Sequence, residues 1–189
     1  MKRLGRRLAL MSLGVALAGC TTEQKVVTQS NAAGGPQQKL RRVLIAIWVH
    51  REKLTEGQNL ALLQVEELQR SFEAKWPPIG IAVEIVNANG APDNGGPLIT
   101  TANARFRAGQ FLFLQTGTIR FRNNFVNEYD IDASLYDAAT RARIWRASTQ
   151  LPDFWRSATK DPFMDSKRQA AADRYVDSLT AKLREDGLI

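Results

Sequence analysis

Few residues in this chain have the type and spacing for catalysis. The lone histidine, His50, sits beside Arg51 and Glu52. A Ser-His-Asp triad would have to use it, yet no serine occupies a Gly-x-Ser-x-Gly elbow. We read it as a solvent-edge histidine at the exit of a strand. Asp130 and Asp132 alternate along a strand pattern, which spaces their carboxylates roughly 7 Å apart, near the range used in glycoside hydrolysis. The same pattern sets them against Arg120 and Arg122, which would keep both ionised and weak as acids, so an ion-paired face is the better reading. The run NGAPDNGG (residues 89–96) is glycine-rich but lacks the Lys-Ser/Thr of a phosphate loop. A structural zinc site needs four Cys or His ligands, and the chain has one cysteine, Cys20, and one histidine. No catalytic constellation, metal or cofactor is expected, and the chain reads as a non-enzyme.

Binding surfaces are better represented. Phe154, Trp155, Phe163 and Met164 are interleaved with Arg156 and Lys160, a composition found at interface hot spots. We take Phe154, Trp155, Arg156 and Phe163 as a candidate partner surface, against the alternative that the rings cap the sheet or the last helix. Residues 99–160 hold eight Arg and one Lys against five acids. Lipid phosphates, lipopolysaccharide or glycan carboxylates would suit such a surface, although ion pairs dispersed over a sheet account for most of it. The loop Asn87–Leu98 is a further candidate contact.

Cys20 belongs to a different logic. Lys2, Arg3, Arg6 and Arg7 precede an apolar run from Leu8 to Gly19. That run is short of the ~20 residues needed to cross a bilayer and suits a signal peptide. Leu17-Ala18-Gly19-Cys20 resembles the lipobox of bacterial lipoproteins. The resemblance implies acylation of the Cys20 thiol (a palmitate-type anchor), cleavage before it, and, with Thr21 following, the periplasmic face of the outer membrane. More than one acyl chain would make such an anchor stable. Loss of the signal leaves 22 basic against 19 acidic residues, so the charge falls from +7 to +3. Nucleic acid is therefore not an expected partner, and no thiol remains for redox chemistry.

The elements that would position these groups follow from periodicity. Residues 1–19 read as signal and 20–39 as a flexible tether reaching about 25 Å. Residues 40–189 read as one α/β domain, long enough for its own core. RRVLIAIWVH is a strand buried on both faces. TEGQNLALLQVEELQRSFEAKW is a helix with Ala61, Val65, Leu68, Phe72 and Trp76 on one stripe, stopped by Pro77-Pro78. IGIAVEIVNA is a strand parallel to the first. ITTANARFRAG reads as a short helix closed by Gly109 or as a strand.

A hairpin then places Phe111, Phe113, Ile119 and Phe121 on one face of its first strand and Tyr129, Ile131, Ala133 and Leu135 beside them on one face of its second. With its turn at Phe125, Phe121 faces Tyr129, Ile119 faces Ile131, Arg122 faces Glu128 and Arg120 faces Asp130. After a turn at Asp137–Thr140, RARIWRAST is another strand. A final helix from Lys167 to Glu185 presents Ala172, Tyr175, Val176, Leu179 and Leu183. The order is β-α-β-(α)-β-β-β-α: one mixed sheet of about five strands with two long helices.

ARFRAGQFLFLQTGTI, with Gly109, Gly117 and Ile119, and LYDAATRARIWRAS, with Asp137, Thr140 and Trp145, are similar to motifs of envelope lipoproteins. Their domains are like the amino-terminal domain of the Tol translocation protein; curli secretion lipoproteins and lipoprotein activators of penicillin-binding proteins are in this group. The lipoprotein subunit of the lipopolysaccharide translocon is similar in length and element order. Both resemblances imply an accessory or scaffold of an envelope assembly, secretion or cell-wall complex with an envelope protein partner. The second also implies a binder of lipopolysaccharide or another anionic molecule.

Overall fold

RVLIAIW forms β2, Arg42–Trp48, with five consecutive buried residues. Such a strand needs cover on both faces. The computed structural model describes residues 27–32, 38–48, 65–89, 91–122, 125–152 and 162–189. Cys20, His50, Phe154, Trp155 and Arg156 lie outside the described residues, as does the signal segment. β2 is flanked in parallel by β3, Ala82–Asn87, and by the start of β4, Gln110–Arg122. The antiparallel strands β5, Phe125–Asp137, and β6, Arg143–Pro152, follow. With β1, Val27–Ala32, the sheet has six strands in the order β1-β6-β5-β4-β2-β3.

The expectation of a mixed α/β domain holds, with one strand more than anticipated. That strand corrects the tether: Val27–Ala32, inside the expected flexible stretch 20–39, pair antiparallel with β6 from Val27↔Gln150 to Ala32↔Trp145. Hydroxyls hold it in place. Thr28 Oγ1 lies 2.9 Å from Thr149 Oγ1 and 2.7 Å from Ser178 Oγ, and Ser30 Oγ donates to Asp186.

Two helices share one face of the sheet. In α1, Val65–Lys75, Val65, Leu68 and Phe72 are buried, and buried Trp76 follows before the proline turn Pro77–Ile79. Phe72 and Trp76 meet edge to face at 4.8 Å, a geometry favoured by their ring quadrupoles. In α3, Pro162–Glu185, the five expected core residues are all fully buried. The helix starts five residues earlier than expected, at a proline whose missing N–H costs nothing in the first turn. Polar ties join the helix pair: Ser71 Oγ donates to Asp173 Oδ1 at 2.6 Å, Trp76 Nε1 to Thr180 Oγ1 at 2.9 Å, and Lys75 meets Asp177 at 2.6 Å. Beneath them, Val43, Ile45, Ile47, Leu112, Leu114, Ile131, Leu135, Trp145 and Leu151 form the sheet side of the main core.

The third helix, α2, Gly96–Phe106, lies on the other face. The short-helix reading of this stretch holds, but its cap is Arg107 at φ 54°, with Gly109 instead donating its N–H to the Arg42 carbonyl. The β4–β5 hairpin also forms in a corrected register. Ile119 pairs with Tyr129, Arg120 with Glu128 and Thr116 with Ile131. A bulge between Thr116 and Ile119 gives β4 one extra residue against β5, and the turn falls before Phe125. A row of odd-numbered β4 residues therefore cannot continue on one face through it. Arg120 still reaches Asp130, diagonally, at 3.0 Å.

Candidate binding face of the sheet

Alternation assigns the two faces. On β4, Leu112 and Leu114 turn to the main core, so Phe111, Phe113 and Gln115 turn away; on β5, Leu135 and Ala133 turn in, so Tyr136, Ser134 and Asp132 turn away. The second face is covered only in part. α2 packs Ala102, Ile99 and Phe106 on Leu44 and Val86 above β2 and β3. Its entry requires Gly95, which sits at φ 77° with any Cβ only 2.6 Å from that of Ala88. Its exit is fixed by Arg42, whose guanidinium lies 4.6 Å above the Phe106 ring and donates to the Phe106 carbonyl. Among the described residues, no helix covers β4, β5, β6 or β1 on this side.

The step down from α2 to the bare strands makes a groove of about 800 Å3. Its floor is half-buried Trp48, Phe111, Phe113 and Tyr136, with Phe113 and Tyr136 edge to face at 5.5 Å. Its helical wall is Gly96, Ile99, Thr100, Asn103 and Ala104, one stripe of α2 at helical spacing. Trp48 pairs with Gln115 where β2 ends, and Asp93 lies at that end in the turn Pro92–Gly95. Ala138 and Arg141 lie at the other end, where β4 begins and Ala138 N–H bonds the Gly109 carbonyl. Asp93 and Arg141 are both held at positive φ, 51° and 59°. Further along the bare face, Gln29, Asn31, Asp132, Arg146 and Ser148 line a polar hollow of about 430 Å3.

The turn that presents Arg141 is built by Asp137. Its Oδ1 accepts the Thr140 N–H at 2.7 Å, the Thr140 hydroxyl at 2.8 Å and the Ala139 N–H at 3.1 Å. Those bonds, the Thr140 N–H first, hold its carboxyl below the usual range. On the core side, burial pushes the Asp186 carboxyl up, but hydrogen bonds from Ser30 and Trp145 and the charge of Lys182 outweigh it and leave it low. Burial, and secondarily the Asp132 charge, push the Tyr175 phenol well above its ordinary value.

Among the described residues, no three His, Cys, Asp or Glu stand close enough to hold a metal ion. Asp130 is ion-paired with Arg120, and the Asp132 carboxylate lies over Gly117. Of the expected partner surface, only Phe163 falls on a described element, in the first turn of α3. The loop Asn87–Leu98 supplies Asp93 and Gly96 to the groove. Trp48, Phe111, Phe113, Tyr136 and Arg141 were not singled out from the sequence as a site. The signal for them was QFLFLQ, apolar in both alternating rows, which marks a strand whose second face also has something to meet.

The molecule is thus an α/β domain built on an open mixed sheet, with, among the described residues, two α-helices on one face and one on the other. No protein-family model matches the chain, and no curated protein matches it. Among solved structures it is similar to a PelC dodecamer from Paraburkholderia phytofirmans (14% identity over 82% of this chain and 96% of that one, TM-score 0.41). It is also similar to lipoprotein GNA1162 from Neisseria meningitidis (10%, covering 73% and 99%, TM-score 0.38). A third is protein XCC0632 from Xanthomonas campestris, described as family-model DUF330 (13%, covering 78% and 83%, TM-score 0.39). Likeness at this level carries no argument about role. No helix of the described residues is long and apolar enough to cross a membrane.

Proposed function

We propose that the protein is a periplasmic lipoprotein, anchored through Cys20 to the outer membrane, that serves as a non-enzymatic accessory or scaffold of an envelope assembly, secretion or cell-wall complex. The observation that carries the docking role is the one-sided covering of the sheet. The α1–α3 face is closed by a continuous apolar core, whereas among the described residues no helix covers the opposite face of β4, β5, β6 and β1, beside an aromatic groove. A sheet face with half-buried rings and polar neighbours suits partner contact. The lipobox supplies the location. Carriage of an anionic envelope molecule, lipopolysaccharide or a glycan, is the second reading, favoured by Arg141 at the groove and Arg146 in the polar hollow.

Metabolic labelling with palmitate, combined with photo-crosslinking in cells, tests the proposal. Label is expected on the wild-type chain and absent from Cys20→Ala; an unlabelled, freely soluble mature protein refutes the anchor. A crosslinker at Ser148, on the bare face, is expected to trap a discrete protein that one at Asp177, on the helical face, does not. Equal trapping from both positions refutes the docking face, and trapping of lipid or glycan alone favours the carrier.

A further inference from the structure

The groove floor is uncharged and its two ends are not. Asp93 stands at one end and Arg141 at the other, both exposed, and among the described residues neither pairs with an opposite charge. Their surroundings make that unusual. Arg105 pairs with Glu84, Arg42 is spent on Phe106, and the carboxylate nearest Arg141 in sequence, Asp137, is consumed by the turn. Among the described residues, three other than glycine adopt the left-handed region: Arg107 caps α2, and the other two are Asp93 and Arg141. A left-handed conformation is tolerated by a short polar residue such as Asp93 but costs an arginine about 1–2 kcal/mol, and such strain tends to persist where a function holds it.

The separation sets the size of what fits. Phe111 to Gln115 along the floor is four strand steps, roughly 13 Å at ~3.3 Å each. An extended peptide of about four residues has the same span. A free amino group at its start would meet Asp93 and a terminal carboxylate would meet Arg141, with its side chains over Phe113, Tyr136 and Trp48. A neutral glycan would leave both charges unanswered, and a purely anionic ligand would be repelled by Asp93. From this charge complementarity we infer that the groove binds a short dipolar peptide of about four residues, amino end at Asp93 and carboxylate end at Arg141. The inference rests on reading this face as a binding surface and adds to it the chemistry of one occupant.

The test uses the full-length lipidated protein in detergent micelles and calorimetric titration of the tetrapeptide Ala-Phe-Phe-Ala in four forms: both ends free, amino end acetylated, carboxyl end amidated, and both blocked. Two variants keep the backbone comfortable, because Asn and Gly tolerate positive φ: Asp93→Asn and Arg141→Gly. Acetylation is expected to weaken binding to wild type about three- to five-fold and to have no effect in Asp93→Asn; amidation is expected to do the same with Arg141→Gly. Absence of saturable binding by the free peptide overturns the inference. So does an end-blocking effect that is the same in wild type and variants, or equal binding of the doubly blocked form. If the peptide fails while crosslinking from Ser148 still succeeds, the occupant is wrong and the docking face stands.

Discussion

Asp186 is the joint between β1, β6 and α3, and its removal should be felt at all three. Its Oδ2 accepts the indole N–H of buried Trp145 at 2.7 Å and the hydroxyl of Ser30, while Lys182 stands 3.6 Å from Oδ1. Hydrogen bonds to a charged acceptor contribute about 1.5–3 kcal/mol, and Asp186→Ala would also leave the Trp145 N–H without a partner. The expected loss is about 2–4 kcal/mol, or a fall in Tm of about 10 °C. The carboxyl is held below its ordinary value, so its contribution is fully present above the unfolded carboxylate pKa of about 3.9. It disappears as the pH falls through the lower, folded value. Urea unfolding of wild type and Asp186→Ala at pH 7 and below pH 3 reads this directly: the gap between them should narrow in acid. Hydrogen exchange at β1 should accelerate in the variant at pH 7. A gap below 0.5 kcal/mol at pH 7, or one that does not change with pH, would refute the assignment.

Gly95→Ala combines a left-handed φ with a 2.6 Å approach to Ala88 and should cost about 2–3 kcal/mol by urea unfolding. Gly117→Ala meets only the Asp132 carboxylate, at 2.7 Å, and that exposed side chain can swing away, so its cost should stay below about 1 kcal/mol; an equal cost for the two would contradict the packing described. Tyr175→Phe removes a buried hydroxyl that has no partner among the described residues and should be neutral or stabilising by up to about 1 kcal/mol. A loss above that in thermal unfolding would mean the hydroxyl is bonded after all. Leu179→Ala, on the buried stripe of α3, should cost about 2–5 kcal/mol in the same assay.

The legible parts of the fold were those whose burial follows one period. β2 announced itself by an unbroken apolar run, and α1 and α3 by stripes from Val65 to Trp76 and from Ala172 to Leu183. The Asp137–Thr140 turn was legible because Asp137 bonds locally to its own turn. β1 was not, since VTQSNA is fastened through Thr28 and Ser30 hydroxyls and offers no apolar alternation to read. The hairpin register failed along its whole length, because Arg122 already pairs with Phe125 where the turn was expected, and no composition rule marks the irregularities at Thr116/Ile119 and Arg120/Phe121. The groove was hidden for a third reason. Phe111 and Phe113 look like core beside Leu112 and Leu114, and only the placement of α2 over β2 and β3 decides which row is left facing a cleft. Asp93 and Arg141 are far apart in sequence and meet one groove only through the β2–β4 pairing.

Strand β1 also changes the mechanics of the molecule. From Cys20 to the first paired residue, Val27, there are seven steps, at most about 25 Å of chain; a free leader as far as Leu40 would have allowed about 70 Å. Tension applied to the chain ahead of Val27 enters the domain through an edge strand bonded to β6 along six residue pairs. Pulled along its axis, that strand loads its hydrogen bonds together, in shear, and passes the force to the Asp186 joint rather than peeling away one bond at a time.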